Sequence, residues 1–252
     1  ACTMEDVDAD GDQDLLLGAD GKLTLRLNRG DGYFDPHEQV YQNAAGIWPT
    51  ALAFGDMDGD GDLDIVQSVE SAITQQLRWL RKEADGTYSA GTVINNQAPY
   101  FTRLQVVDIE PDGDLDVIGT AGAGAYVYRN TGTGLFAAPQ VVGSGSFRFA
   151  AAGDLDQDGD LDLVASSGGG SFQVSLWDGS TYASPLQVSP MVATGIGSQV
   201  VDVNGDGFLD AVIHTAAGFS CKLNLGGGAL GPVQSFSIPG GQVLKGQLAD
   251  VN

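Results

Sequence analysis

Five carboxylates fall within nine residues between Asp56 and Asp64, in the order DMDGDGDLD. Acids on alternate positions of so short a segment repel one another unless a cation lies among them. The arrangement recurs as DVDADGDQD from Asp6, DIEPDGDLD from Asp108, DLDQDGDLD from Asp154 and DVNGDGFLD from Asp202, and a further start, DVN, stands at Asp250. Calcium takes about six to eight oxygen ligands, so oxygens on alternate residues can converge on one ion. Positions 1, 3, 5 and 9 of each loop would offer side-chain oxygens, and position 7 its backbone carbonyl.

The candidate ligands are therefore Asp6, Asp8, Asp10 and Asp14 with Asp12 at position 7, then Asp56, Asp58, Asp60 and Asp64 with Asp62. The third loop offers Asp108, Glu110, Asp112 and Asp116 with Asp114, and the fourth Asp154, Asp156, Asp158 and Asp162 with Asp160. The fifth offers Asp202, Asn204, Asp206 and Asp210 with Phe208. Position 6 is glycine in all of them (Gly11, Gly61, Gly113, Gly159, Gly207), which predicts a reversal at positive φ. Magnesium prefers a strict octahedron and retains its waters. Zinc and copper prefer nitrogen or sulfur, of which the chain has two histidines and two cysteines. An EF-hand is excluded, because position 12 holds Leu17, Gln67, Gly119, Ala165 or Ile213 in place of a bidentate glutamate. The loops differ from one another. Glu110 followed by Pro111 weakens the third, and Asn204 lowers the charge of the fifth.

The charge is confined to these loops. The chain carries −22, from 33 acidic and 11 basic residues, and 24 of the acids lie in the repeated segments. The rest is close to neutral. With 42% hydrophobic residues it can build a core, so this is not an acidic disordered chain. Negative charge disfavours nucleic acid and anionic membrane as partners.

The starts are spaced by 50, 52, 46, 48 and 48 residues, the mark of a repeat architecture. Around the second loop, TALAF leads in and LDIVQSV leads out as apolar strands. TQQLRWLR and GTVINNQ read as a third and fourth strand on either side of the turn KEADGTY. Four short strands in about fifty residues match a blade of a β-propeller. The apolar runs beside the loops predict inner strands buried on both faces. No segment has a helical period, and no apolar run is long enough to span a membrane.

These residues resemble the FG-GAP/VCBS repeat family, the calcium-loop propellers of integrin α-subunit heads, bacterial surface proteins and some lectins. The resemblance is carried by the five loops, by AFGD at 53–56 and AAGD at 151–154, and by the downstream turns NRGDGYF at 28–34 and NTGTGLF at 130–136. It spans residues 1–252 as a single propeller domain or a segment of one. It implies an all-β fold, about one Ca2+ for each complete loop, and placement of the loop between the two inner strands of a blade. It also implies an extracellular or cell-surface binding module for a glycan or protein ligand. Some relatives are polysaccharide lyases, for which Arg103 and Arg148 are the basic candidates. A purely structural segment of a surface filament is the third reading.

KGQLADVN at 245–252 repeats the role of CTMEDVD at 2–8, so both look like a first strand entering a loop. This leads to the expectation of a segment of a larger propeller, about seven-bladed, assembled with further blades. The alternative is a five-bladed ring with a displaced strand. RGD at 29–31 occupies variable slots of a turn, and GSGS at 143–146 and SGGGS at 167–171 read as turns. Trp48, Trp79, Tyr100, Trp177 and Tyr182 are candidates for stacking on sugars. A bond between Cys2 and Cys221 would suit an extracellular protein, but two cysteines do not establish one. His37 and His214 stand alone, so no nucleophilic triad is visible.

Overall fold

A computed structural model describes residues 1–89, 91–132, 134–143, 147–167, 172–184, 186–188, 195–215 and 218–237. The DVN start at 250 and the C-terminal KGQLADVN lie outside these residues, as do most of the GSGS and SGGGS segments. The described chain is all β, in five four-stranded antiparallel sheets. The first contains β1 (Cys2–Glu5), β2 (Asp14–Ala19), β3 (Lys22–Arg26) and β4 (Glu38–Gln42). The second contains β5 (Trp48–Gly55), β6 (Asp64–Glu70), β7 (Gln75–Leu80) and β8 (Thr92–Asn95). The third contains β9 (Phe101–Val107), β10 (Asp116–Ala121), β11 (Gly124–Tyr128) and β12 (Gln140–Val142). The fourth contains β13 (Phe147–Gly153), β14 (Asp162–Ser167), β15 (Phe172–Ser175) and β16 (Leu186–Val188). The fifth contains β17 (Gly195–Val201), β18 (Asp210–Thr215), β19 (Gly218–Asn224) and β20 (Leu230–Ser237). Each sheet follows chain order, so each repeat is one meander. No helix among the described residues is long and apolar enough to cross a membrane.

Register explains why the acidic segments are loops. The last residue of each entering strand pairs with the position-9 aspartate: Glu5 with Asp14, Gly55 with Asp64, Gly153 with Asp162 and Val201 with Asp210. Positions 1–8 are thus the hairpin connection, and position 9 opens the next strand. As the sequence predicts, β6, β10 and β18 are buried almost throughout. β2 instead alternates between buried and half-buried residues.

By contacts the chain forms two compact units, one of residues 1–107, 113–119 and 128–137, the other of 108–112, 120–127 and 138–252. In the first unit, Leu16 and Leu23 pack with Leu52, Phe54, Ile65, Leu80 and Tyr88. In the second, Leu155, Val164 and Val174 pack with Ala211 and Ile213. Full burial of such a side chain contributes roughly 1.5–3 kcal/mol. The glycine before the aspartate of AAGD and AFGD permits this approach of neighbouring sheets. A Cβ on Gly153 would stand 2.6 Å from Val200 Cγ1, and one on Gly55 would strike the same atom of Val106. Neither valine has a flexible end to move aside. Gly153→Ala and Gly55→Ala should each lower stability by about 1–3 kcal/mol. The measurement is the urea midpoint, which should fall at an unchanged slope.

Candidate metal centres in the acidic loops

Each loop is built around its ninth residue. Asp14, Asp64, Asp116, Asp162 and Asp210 are 0% exposed. In each, Oδ1 accepts the N–H of a residue at the end of the third strand, two places beyond it in the first four repeats and its last residue in the fifth. These donors are Asn28 (2.7 Å), Lys82 (2.7 Å), Asn130 (2.7 Å), Trp177 (2.8 Å) and Asn224 (2.7 Å). Oδ2 accepts the N–H of position 2, from Val7, Met57, Leu155 and Val203 at 2.8–3.1 Å. One carboxylate therefore fastens the loop entry to the third strand. Trp79 Nε1 adds a third donor to Asp64, at 2.8 Å.

Position 1 shapes the turn. Asp6 Oδ1 and Oδ2 accept the N–H groups of Asp10 and Gly11, and Asp56 receives Asp60 and Gly61 in the same way. Asp202 Oδ2 accepts from Gly207 at 2.8 Å, and Asp108 accepts from Asp112 at 3.2 Å. Position 5 accepts from position 7, as in Asp10 to Asp12, Asp60 to Asp62, Asp158 to Asp160 and Asp206 to Phe208. The position-6 glycines have φ between +88° and +99°, with open space around each α-carbon, so conformation and not crowding requires them.

Three loops gather carboxylate oxygens within 4.8 Å of one another: Asp6 with Asp8 and Asp10, Asp56 with Asp58 and Asp64, and Asp154 with Asp156 and Asp162. Calcium–oxygen distances of about 2.3–2.6 Å put ligands on opposite sides of one ion at most about 5 Å apart. The clusters fit that span. In the third loop, Asp108, Glu110 and Asp112 belong to one unit and Asp114 and Asp116 to the other. The fifth has no three-carboxylate cluster among the described residues, and Asn204 Nδ2 is turned to Asp206 Oδ2 at 2.8 Å.

The clusters also contain carboxylate oxygens with neither solvent nor a donor. Asp58 Oδ1, Asp154 Oδ1 and Asp156 Oδ1 are buried without a hydrogen bond among the described residues. Asp58 Oδ2 lies 2.8 Å from Arg81 Nη1, an ion-pair distance lacking hydrogen-bond alignment. Burial, followed by the charge of Asp60, raises the proton affinity of Asp58, and burial followed by Asp158 does the same for Asp156. Burial pushes Asp162 up to about 6, against the N–H bonds from Trp177 and Leu155. Asp60 is held lower by the Asp62 N–H, and Asp202 by that of Gly207.

The second loop has basic neighbours that spacing did not reveal. Arg81 lies 2.9 Å from Asp60 as well, and Lys82 Nζ lies 3.3 Å from Asp62. Both follow β7, in the slot where other repeats place Asn28, Asn130 and Asn224. Asn130 Nδ2 donates to Met57 O (3.0 Å) and Asn224 Nδ2 to Leu155 O (2.6 Å), each joining its turn to the loop of an earlier repeat.

Other expectations divide. Trp79, Trp177 and Tyr182 are buried, so they are core aromatics and not surfaces for stacking on sugar. Tyr182 Oη donates to Leu161 O, and Tyr88 Oη to Leu63 O, bracing loop ends. Trp48 and Tyr100 are exposed. RGD lies in a turn closed by the Asn28–Phe34 bridge, with Arg29 paired to Asp35 and Asp31 accepting from Tyr33 N. Arg103 and Arg148 are exposed on β9 and β13. Cys2 is exposed and Cys221 buried, both as free thiols.

The sequence profile described as FG-GAP-like repeat matches residues 6–66, 108–165 and 154–213, more than half of the chain. No curated protein matches. The solved structures it resembles include an Agrocybe aegerita lectin with specific recognition of non-reducing terminal N-acetylglucosamine. There the identity is 19%, over 93% of this chain and 79% of that one, with a TM-score of 0.49. Another is the V. cholerae biofilm matrix protein Bap1, with 18% identity over 88% of this chain and 36% of that one, at a TM-score of 0.50. A third is BBS1N in complex with ARL6DN, at 10% identity, 96% and 83% coverage, and a TM-score of 0.48. At these identities the likeness concerns fold alone.

The metal-free protein should carry a recognisable pH dependence. Asp162 binds its proton more tightly folded, near 6, than unfolded, near 3.8. Its contribution to stability is thus present at low pH and lost as pH rises through that interval. In chelator, Asp162→Asn should reduce the difference in melting temperature between about pH 5 and about pH 7 relative to the parent chain. Equal differences in the two proteins would remove this assignment.

Proposed function

The chain belongs to the FG-GAP-like repeat family, and on that premise we propose that it is a calcium-stabilised, non-catalytic binding module of the cell surface or extracellular space. The buried acceptors without donors, Asp58 Oδ1, Asp154 Oδ1 and Asp156 Oδ1, carry this reading. An anionic oxygen removed from water without a donor costs several kcal/mol, and a divalent cation removes that cost where another hydrogen bond cannot reach. Asp6, Asp8 and Asp10, Asp56, Asp58 and Asp64, and Asp154, Asp156 and Asp162 would hold the ions, with the position-7 carbonyls completing each shell. The remaining ligands proposed from sequence in the fifth loop take the same roles. Calcium would supply charge compensation and pin the hairpin, not chemistry on a substrate.

The five meanders are proposed as consecutive blades of a β-propeller. A glycan or protein would be the ligand of one of its faces. The lack of net charge outside the loops leaves those faces free of a nucleic-acid or membrane signature. Extracellular modules bind calcium at roughly 10⁻⁴–10⁻³ M. At about 1 mM calcium, each occupied site adds on the order of 1 kcal/mol to folding stability. The test is thermal unfolding in millimolar calcium against excess chelator, with elemental analysis of the dialysed protein. The expected result is several calcium ions per chain and a melting temperature lowered sharply by chelation. The double variant Asp58→Asn, Asp156→Asn should lose the share of that difference due to the second and fourth loops and bind about two fewer calcium ions per chain. An identical melt in chelator, with no bound calcium, would overturn the proposal.

A further inference from the structure

The second sheet also carries a cleft that the calcium loops do not explain. It has a volume of about 630 Å³ and is lined by the β6–β7 turn, Ser71 to Gln76, and by Asn96, Gln97 and Ala98 of the β8–β9 connection. This lies within the size range of small-molecule sites, about 300–1,000 Å³. The acidic loop enters β6 at Asp64, whereas the cleft begins beyond Glu70, so the two occupy opposite ends of one strand. At about 3.3 Å per residue, some 20 Å of strand separates them.

In a chain of charge −22, none of the lining residues is charged. The polar ones are amides and hydroxyls, groups that both donate and accept. The walls are fixed by their own bonds. Ser71 Oγ accepts from Thr74 N at 3.1 Å, Ser71 N donates to Thr74 O at 2.8 Å, and Asn95 Oδ1 accepts from Gln97 N at 2.8 Å. Asn95 Nδ2 is itself held by Tyr128 Oη at 3.0 Å. By contrast, the side-chain amides of Gln75, Asn96 and Gln97 make no hydrogen bond among the described residues. Ile73, 90% exposed, stands at the tip of the turn beside these polar groups, with Ala72 and Ala98 as further apolar lining.

From this placement we infer that the cleft binds a neutral saccharide through the amides of Gln75, Asn96 and Gln97, with Ile73 against a C–H face of the sugar ring. Vicinal hydroxyls donate and accept like the amides they would meet. A phosphate or carboxylate ligand would call for arginine or lysine in the wall. A protein anchor would call for aromatic or arginine side chains at the centre of the patch. The inference rests on the reading of the chain as a binding module, and it adds the ligand class and the place.

The test is saturation-transfer NMR on the calcium-loaded protein with a panel of neutral methyl glycosides, and sialyllactose as a charged comparison. Transfer to at least one neutral glycoside is expected. Gln75→Ala combined with Gln97→Ala should weaken that binding by about tenfold or more, and Asn96→Ala should do so independently. All variants should keep the parent's calcium-dependent melting temperature, which shows that they fold. No transfer to any neutral glycoside, transfer only to sialyllactose, or transfer unchanged in the variants would overturn the assignment. The melting comparison fails separately if calcium does not stabilise the fold, so loss of the module reading and loss of this cleft are distinguishable.

Discussion

A carboxylate taken out of water must be given donors or a cation, and the repeated loops divide their aspartates between these two solutions. At position 9 the donors are built in. Both oxygens of Asp14, Asp64, Asp162 and Asp210 receive backbone N–H groups, so a fully buried charge is satisfied by the chain itself. Hydrogen bonds to charged groups contribute about 1.5–3 kcal/mol each. Position 3 of the second loop and positions 1 and 3 of the fourth are treated differently, for Asp58, Asp154 and Asp156 each keep a buried oxygen with no donor. The staple thus sets the hairpin, and the hairpin holds unsatisfied oxygens close together. Site formation and folding become one equilibrium.

The same loops link successive repeats. The backbone carbonyl of position 2 is a shared acceptor: Met57 O takes Asn130 Nδ2, Leu155 O takes Asn224 Nδ2, and Ile109 O takes the Leu161 N–H. The side chains of Met57, Ile109 and Leu155 are buried beneath these bonds. A disturbed loop would therefore be felt by a neighbouring repeat. At the far end of the second sheet, the lining of the Ser71–Ala98 cleft contains no acid. Arg81 and Lys82 give the second loop partial internal neutralisation through ion pairs with Asp58, Asp60 and Asp62.

Much of the fold was legible because the repeat imposed it. Period, glycine at position 6 and apolar runs beside the acids led to four-stranded meanders, and β5 to β8 fall on the segments read around the second loop. The staple role of Asp64 and Asp162 was not legible, because a metal ligand and a buried hydrogen-bond acceptor are the same residue type at the same spacing. A signal for the inter-repeat ties existed in Asn28, Asn130 and Asn224, which stand at one and the same distance beyond the position-9 aspartates Asp14, Asp116 and Asp210. Lys82 and Trp177 break that run, and bond partners some seventy residues away are invisible to local pattern. For Trp79, Trp177 and Tyr182 the sequence leaves both stacking on sugar and packing open, and their burial decides for packing. Arg81 escaped notice because its ion pair depends on where β7 ends relative to the preceding hairpin.

The position of two tryptophans allows a direct reading of the loops. Trp79 Nε1 donates to Asp64, so its indole lies against one proposed centre, and the backbone N–H of Trp177 donates to Asp162, which puts that residue next to another. Terbium, a hard cation that accepts calcium ligands, emits when excited through a nearby indole. Titration of the metal-free protein with terbium should give tryptophan-sensitised emission that calcium displaces. That emission should fall in steps in Trp79→Phe and Trp177→Phe. Absence of sensitised emission, or emission indifferent to calcium and to both substitutions, would contradict the claim that these aspartates enclose a metal ion.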